Sequence, residues 1–204
     1  MLIDLDSVTP SQAYFLMGQT LVPRPIAWVL SENANHSYNL APFSYFSAIC
    51  SDPPILMLSV GKRADGSPKD TSTNIRERDH FVVHIAHGGQ LDPLNASAAS
   101  LPSGQSEVHE LGLTTTTFGQ FPLPRLADAR VAYACERYRI DHIGNQDQTL
   151  IFGQIRAMYL DDHIIEKHDN GRLKVNHDKL DPLARLGANE YLSAGHVVKM
   201  DRPS

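Results

Sequence analysis

The chain has 204 residues, enough for one domain with a well-formed core, and is 42% hydrophobic and 20% charged, the balance of a folded globular protein. Its formal net charge of −5 argues against a general nucleic-acid binder, whose surface should be basic. The acidic start Met1-Leu-Ile-Asp-Leu-Asp-Ser7 is not a signal peptide, and apolar runs such as 55–58 are far too short to cross a bilayer, so no membrane partner and a cytoplasmic location are expected.

Thr9-Pro10-Ser11 predicts a helix to about Gly18, with a hydroxyl at the N-cap and proline at the first helical position. Ala13, Leu16 and Met17 fall near one face, which reads as packing without chemistry. A strand over 25–31 and a polar turn over 32–37 follow. Residues 38–51 and 55–60 continue a sheet, broken at Asp52-Pro53-Pro54. Pro42 cannot donate to a ladder, so its segment is an edge or a bulge. Backbone groups freed there suit the polar rim of a planar heterocycle, with Asn39 and Ser44 adding side-chain bonds. An ordinary edge strand accounts for the same residues.

Ser67-Pro68 reads as the start of a helix over about 68–78, with Asp70 placed to complete a capping box. Lys62, Arg63 and Lys69 precede or enter its first turn, where the helix dipole disfavours each cation by about 0.3–1 kcal/mol. An anion docked on the free N–H groups would reverse that sign. Thr71 and Asn74 share one face of the helix. A hydroxyl, an amide, a lysine and bare N–H groups compose a phosphate cradle; a solvated basic loop is the competing reading.

Residues 81–86 read as a strand. His80 and His84 would lie about 13 Å apart on it, too far to share a metal ion. Helices are expected over 91–99 and 106–111, a short strand over 114–117, and a rigid loop at Phe121-Pro-Leu-Pro124. Two long strands, 131–141 and 149–160, form a hairpin through the turn at 144–147, with Asp141-His142 at its tip. Asp161-Asp162-His163 and His168-Asp169-Asn170-Gly171 read as solvated turns, and no metal site is expected. Cys50 and Cys135 form no redox or metal motif and are expected as buried free thiols.

Four motifs then recur in order: Pro23-Arg24-Pro25-Ile26-Ala27-Trp28-Val29, Asn39-Leu-Ala-Pro-Phe-Ser-Tyr-Phe46, Asp52-Pro53-Pro54, and Ser67-Pro68-Lys69-Asp70-Thr71 with Asn74-Ile75. Together they resemble the flavin reductase-like family of FMN-binding split-barrel proteins. The likeness runs from about Pro23 to about Tyr191 and is weakest over 88–129, a region that is variable in the family and often shapes access to the flavin. The family usually has glycine where His36 stands, which puts the shape of that turn in question.

The resemblance implies a mainly β fold with peripheral helices: one six-stranded antiparallel Greek-key split barrel spanning 1–204 as a single domain. It also implies a homodimer with FMN near the interface. The phosphate would be held by Lys62, Arg63, Ser67, Lys69, Asp70, Thr71 and Asn74. Asn39, Leu40, Ala41, Pro42, Phe43 and Ser44 would line the ring, and Ser59 and Gly61 would approach the ribityl chain. His142 is a substrate-side candidate, and Arg185 a candidate for the flavin edge or a dimer contact. No catalytic acid or base is named, because the flavin does the redox step. The implied activity is an NAD(P)H-dependent flavin reductase, taking electrons from NADH or NADPH through FMN to an unknown flavin, metal or protein acceptor. The alternative is a non-enzymatic FMN electron carrier or flavin-binding module.

Overall fold

Thr9 and Pro10 start the first helix as their chemistry dictates. In the computed structural model, which describes residues 1–167, 171–193, 195–198 and 200, Thr9 and Gln12 cap α1 (Pro10–Thr20) reciprocally. The expected turn at His168-Asp169-Asn170 lies outside the described residues. No α1 residue is fully buried: of the face read as packing, Ala13 and Leu16 are half-buried and Met17 is exposed, and Tyr14 and Phe15 beside it also stand exposed.

The elements that follow are β1 (Arg24–Pro25), β2 (Ala27–Glu32), β3 (Tyr38–Phe43), β4 (Phe46–Ser51) and β5 (Pro54–Val60). Next come α2 (Asp70–Arg78), β6 (His80–Ile85), α3 (Leu91–Ala96), α4 (Glu107–Glu110), β7 (Thr115–Phe118) and β8 (Phe121–Leu126). The chain closes with β9 (Val131–Ile143), β10 (Gln148–Leu160), β11 (Ile165–Lys167), β12 (Leu173–Val175), α5 (His177–Leu180), β13 (Ala184–Arg185) and β14 (Tyr191–Leu192). His36 takes the left-handed conformation (φ 64°) in the turn between β2 and β3, and its Nδ1 lies 2.8 Å from Glu32.

Seven antiparallel strands form the main sheet, in the order β3-β2-β6-β9-β10-β5-β4. The sequence reading expected six. The difference is the corner at Ser44-Tyr45, which splits 38–51 into two strands and sends one to each edge. Flat, a seven-stranded sheet separates its edge strands by about 29 Å. Phe43 and Phe46 are joined by two residues, a reach of about 11 Å at most. The sheet must therefore curl until its edges approach at a seam, and the Ser59 N–H bonds the Tyr45 carbonyl (2.8 Å), carrying the β4–β5 ladder one rung further to the corner. The expected β class with peripheral helices stands.

The curl gives β2 two buried faces. Ala27 and Val29 pack inside with Phe43, Leu58, Ile75, Phe81 and Ile151, whereas Trp28 and Leu30 pack outside with Leu40, Val82 and Leu94. This is why 26–30 is a continuous apolar run rather than an alternating one. The 88–129 region covers the outer face. The Trp28 indole N–H donates to Ser97 just after α3 (2.9 Å), which satisfies the buried polar end of the ring.

Phe121-Pro-Leu-Pro124 belongs to β8, not to a loop. The β7–β8 register shifts between the Thr116–Arg125 and Phe118–Phe121 pairs, so both prolines lie in a bulged stretch where the two-stranded ladder is interrupted. At Leu126 the N–H donates to His84 Nε2 (3.0 Å), while His84 Nδ1 donates to the Trp28 carbonyl (3.0 Å). His84 is thus a saturated core residue, and burial pulls its pKa down to about 4. Cys135 is buried as expected, but Cys50 is exposed because β4 is an edge strand with its outer face uncovered.

Candidate functional site

A cleft of about 960 Å³ opens along the seam. Pro42 to Tyr45 form one wall and Ser59, Gly61, Lys62 and Arg63 another, with Pro10, Ser11 and Tyr14 of α1 bordering it. The seam exists because the chain turns a corner there, so this stretch of backbone faces a cavity instead of a neighbouring strand. The cleft is also bordered by Gln148 at the start of β10, which holds Ser59 by donating to its hydroxyl (2.9 Å).

Arg24 fixes the corner. Its Nε donates to Ser44 Oγ (3.3 Å), one terminal nitrogen donates to the Gly18 and Leu21 carbonyls, and the other to the Leu186 carbonyl (2.9 Å). One guanidinium thus ties the C-terminal end of α1, where a cation suits the dipole, to the cleft wall. Tyr45 lies against Tyr14, with ring centroids 6.1 Å apart. Its hydroxyl is buried without a partner among the described residues, and burial raises its pKa. Such an orphaned group beside a cleft fits a polar ligand atom.

Helix α2 begins at Asp70, two residues later than Ser67-Pro68 suggested. The Ser67 hydroxyl is taken by Asp65 (2.6 Å), and Pro68 pairs with Lys62 in an isolated bridge, so neither residue reaches the helix. Lys69 is the N-cap residue and no side chain caps the first turn. Asp70 forms no capping box; it accepts from Arg63 (2.8 Å) and Ser103 (2.9 Å) instead. The uncapped turn opens on a recess of about 110 Å³ lined by Asn39, Ala41, Arg63, Lys69, Thr71 and Glu107, continuous with the cleft through Pro42, Arg63 and Lys69.

The charges in this recess are unbalanced. Arg63 is paired with Asp70, but among the described residues Lys69 has no carboxylate partner; its ammonium lies 5.5 Å from the Phe43 ring centre. The lysine as a whole is exposed, yet desolvation at the cleft wall and then the neighbouring Arg63 hold its pKa below the usual lysine value. Thr71 Oγ1 accepts from Asn39 (2.9 Å), and no acceptor takes its own proton among the described residues. A desolvated cation, an uncommitted hydroxyl and an uncapped helix start suit an anion.

Thr71 and Asn74 do share a face, but that face turns onto the sheet. Asn74 donates to Asn33 (2.8 Å) and Ser31 (3.2 Å) in a buried network that docks α2, and it lines neither cleft nor recess. Ser67 also lines neither. The Leu40 side chain faces the outer core, and its N–H donates to Glu107 (2.9 Å). His142 lies outside the main cleft, in a second recess of about 120 Å³ with Lys62, Arg76 and Asp147. Arg185 stacks on Tyr191, 4.4 Å from its centroid, away from the cleft. The remaining expected residues, Asn39, Ala41 to Ser44, Ser59, Gly61 to Arg63 and Lys69 to Thr71, line the cleft or its recesses.

Tyr14, Arg24, Tyr45, Glu107 and Gln148 are site residues that sequence reasoning missed. Arg24 and Tyr45 stood inside two of the four motifs. Tyr14, Glu107 and Gln148 carried no local signal, since each reaches the site only through the fold. Among the described residues no group of three or more His, Cys, Asp or Glu is placed to hold a metal ion, and no helix is long and apolar enough to cross a membrane.

Comparison with known proteins bears on this geometry. The family model "Flavin reductase like domain" matches residues 17–177. The chain is 32% identical over 205 residues to the uncharacterised protein YwrF of Bacillus subtilis strain 168, covering 98% of this chain and 97% of that one. Nitrilotriacetate monooxygenase component B from Bacillus cereus superposes with a TM-score of 0.89 at 28% identity, covering 98% of each chain. The 2-nitrobenzoate 2-nitroreductase NbaA of Pseudomonas fluorescens superposes with a TM-score of 0.88 at 30% identity, covering 100% of this chain and 97% of that one. With the seam, its cleft and the cationic recess in place, the chain belongs to the flavin reductase-like family of split-barrel proteins.

Proposed function

We propose that the cleft binds FMN and that the protein is an NAD(P)H-dependent flavin oxidoreductase. The observation that carries this reading is the cleft's polarity. An extended wall at 42–45, with an orphaned hydroxyl at Tyr45, leads to a cationic end at Lys69 that lacks a counter-ion among the described residues. An elongated ligand with a planar polar head and a terminal phosphate satisfies both ends. Lys69, the Thr71 hydroxyl and the first turn of α2 would hold the phosphate, Ser59 and Gly61 the ribityl chain, and the backbone of 42–45 the ring edge. Bound flavin supplies the hydride-accepting chemistry, while the protein orients it and excludes water on one side.

The family relationship supports this reading. So does the surface: Tyr14 at the cleft, Phe15 and Met17 on the same helix, Leu21 just after it and Ile49 on β4 are exposed apolar groups, which favours a homodimer with the site at its interface. Residues 1–204 would act as one domain in a cytoplasmic protein. The test is an absorbance spectrum with FMN under anaerobic conditions. Bands that bleach on adding NADH or NADPH support the oxidoreductase. Bands that persist until dithionite is added point to an electron carrier, and failure to bind FMN overturns the proposal.

A further inference from the structure

Two cationic recesses adjoin the cleft. They share no lining residue with each other, and each shares several with the cleft. FMN has a single phosphate, and Lys69 and Thr71 lie in one recess. The other contains Lys62, Arg76 and His142 around about 120 Å³, room for a phosphoryl group rather than a ring system. It opens to the cleft through Gly61, Lys62 and Gly66. We propose that this second recess takes a phosphomonoester dianion on the electron donor, the 2′-phosphate of NADPH, and so sets a preference for NADPH over NADH. The inference rests on the oxidoreductase reading above.

The present contacts show where such a group would sit. Asp147, in the turn between β9 and β10, places one carboxylate oxygen 2.9 Å from Lys62 Nζ and the other 3.1 Å from His142 Nδ1. Two donors thus already converge on two acceptor oxygens. Among the described residues Asp147 is the only acidic one lining the recess, and its side chain is half exposed, so the ion pair is weak and easily displaced. Arg76 has no carboxylate partner among the described residues, and its planar fork suits a phosphate. Thr149 also lines the wall, whereas the Ser72 hydroxyl is spent on the Lys69 carbonyl (2.8 Å). A dianion with three acceptor oxygens would engage lysine, arginine and imidazole together; a single carboxylate engages only two of them.

The test is calorimetric titration with 2′,5′-ADP and 5′-AMP, each with and without FMN. The proposal expects 2′,5′-ADP to bind at least about tenfold more tightly, the value of one charge-assisted phosphate contact. Arg76→Gln, an exposed change on α2, should bring the two affinities together, and inorganic phosphate should compete with 2′,5′-ADP. Equal affinities in the unaltered protein, or a preference that survives Arg76→Gln, overturn the proposal. So does an Arg76→Gln protein that loses FMN affinity instead, because the recess would then hold the flavin phosphate. Selective 2′,5′-ADP binding without oxidation of either nicotinamide would keep the recess and remove the oxidoreductase reading. Equal oxidation of NADH and NADPH without that selectivity would do the reverse.

Discussion

Replacing Lys69 with methionine separates the cost of a charge in the free protein from its value in the complex. In the free protein the ammonium is partly desolvated, lies beside the Arg63 guanidinium and has no carboxylate partner among the described residues. Methionine keeps an apolar stem near Phe43 and removes that repulsion, so the unfolding midpoint without ligand should stay level or rise. In the complex the same ammonium would meet a phosphate dianion. Losing one charge-assisted bond should weaken FMN by about 1.5–3 kcal/mol, roughly ten- to a hundredfold in Kd. Riboflavin lacks the phosphate and should bind both proteins alike. Titration calorimetry with the two flavins gives the comparison directly. The pH dependence carries a sign as well. A bound dianion raises the depressed lysine pKa, so binding takes up a proton near that pKa, and FMN affinity falls as pH rises through it. Lys69→Met should lose this dependence. Unchanged FMN affinity in a folded Lys69→Met protein, or an equal loss for riboflavin, would refute the reasoning.

Three further changes probe other parts of the account. Glu107 is a buried carboxylate lining the Lys69 recess, with its pKa raised by burial; Glu107→Gln keeps an acceptor for the Leu40 N–H and should tighten FMN binding several-fold by calorimetry, whereas weaker binding would mean that the phosphate sits elsewhere. His84 has a folded pKa of about 4 against an ordinary 6.5, so its contribution is present above 6.5 and is lost as pH falls towards 4, by about 3 kcal/mol. Urea midpoints measured across that window should fall steeply, and less steeply in His84→Gln. At Gly153 a Cβ would overlap the fully buried Phe81 ring, so Gly153→Ala should cost about 1–3 kcal/mol in urea unfolding and be partly rescued by Phe81→Leu.

The parts of this fold that were legible in the sequence are those with local causes. Thr9 and Pro10 announce α1, the Gly144–Asp147 turn announces the β9–β10 hairpin, and strand geometry alone dismisses His80 and His84 as a metal pair. The corner at Ser44-Tyr45 was not legible. Pro42 marks an edge, but nothing nearby says that the next strand crosses to the opposite edge, because that choice is made by the long-range pairing of its hairpin partner β5 with β10. Local signals also misled where a tertiary partner claimed them. Asp65 takes the Ser67 hydroxyl that looked like an N-cap, and Ser31 of β2 and Asn33 just after it take the Asn74 amide that looked like a phosphate ligand. At the site, the cations at Lys62, Arg63 and Lys69 could be read as an anion-binding group. Their division between two recesses could not, since it depends on which way each side chain leaves the loop.

The central claim is that one cleft at the seam holds a flavin with its phosphate at Lys69. A crystal structure of the protein with FMN tests it most directly. The account predicts the ring edge along 42–45 and the phosphate within hydrogen-bond reach of Lys69 and Thr71. A phosphate in the Lys62 recess, or a flavin bound away from the seam, would contradict it.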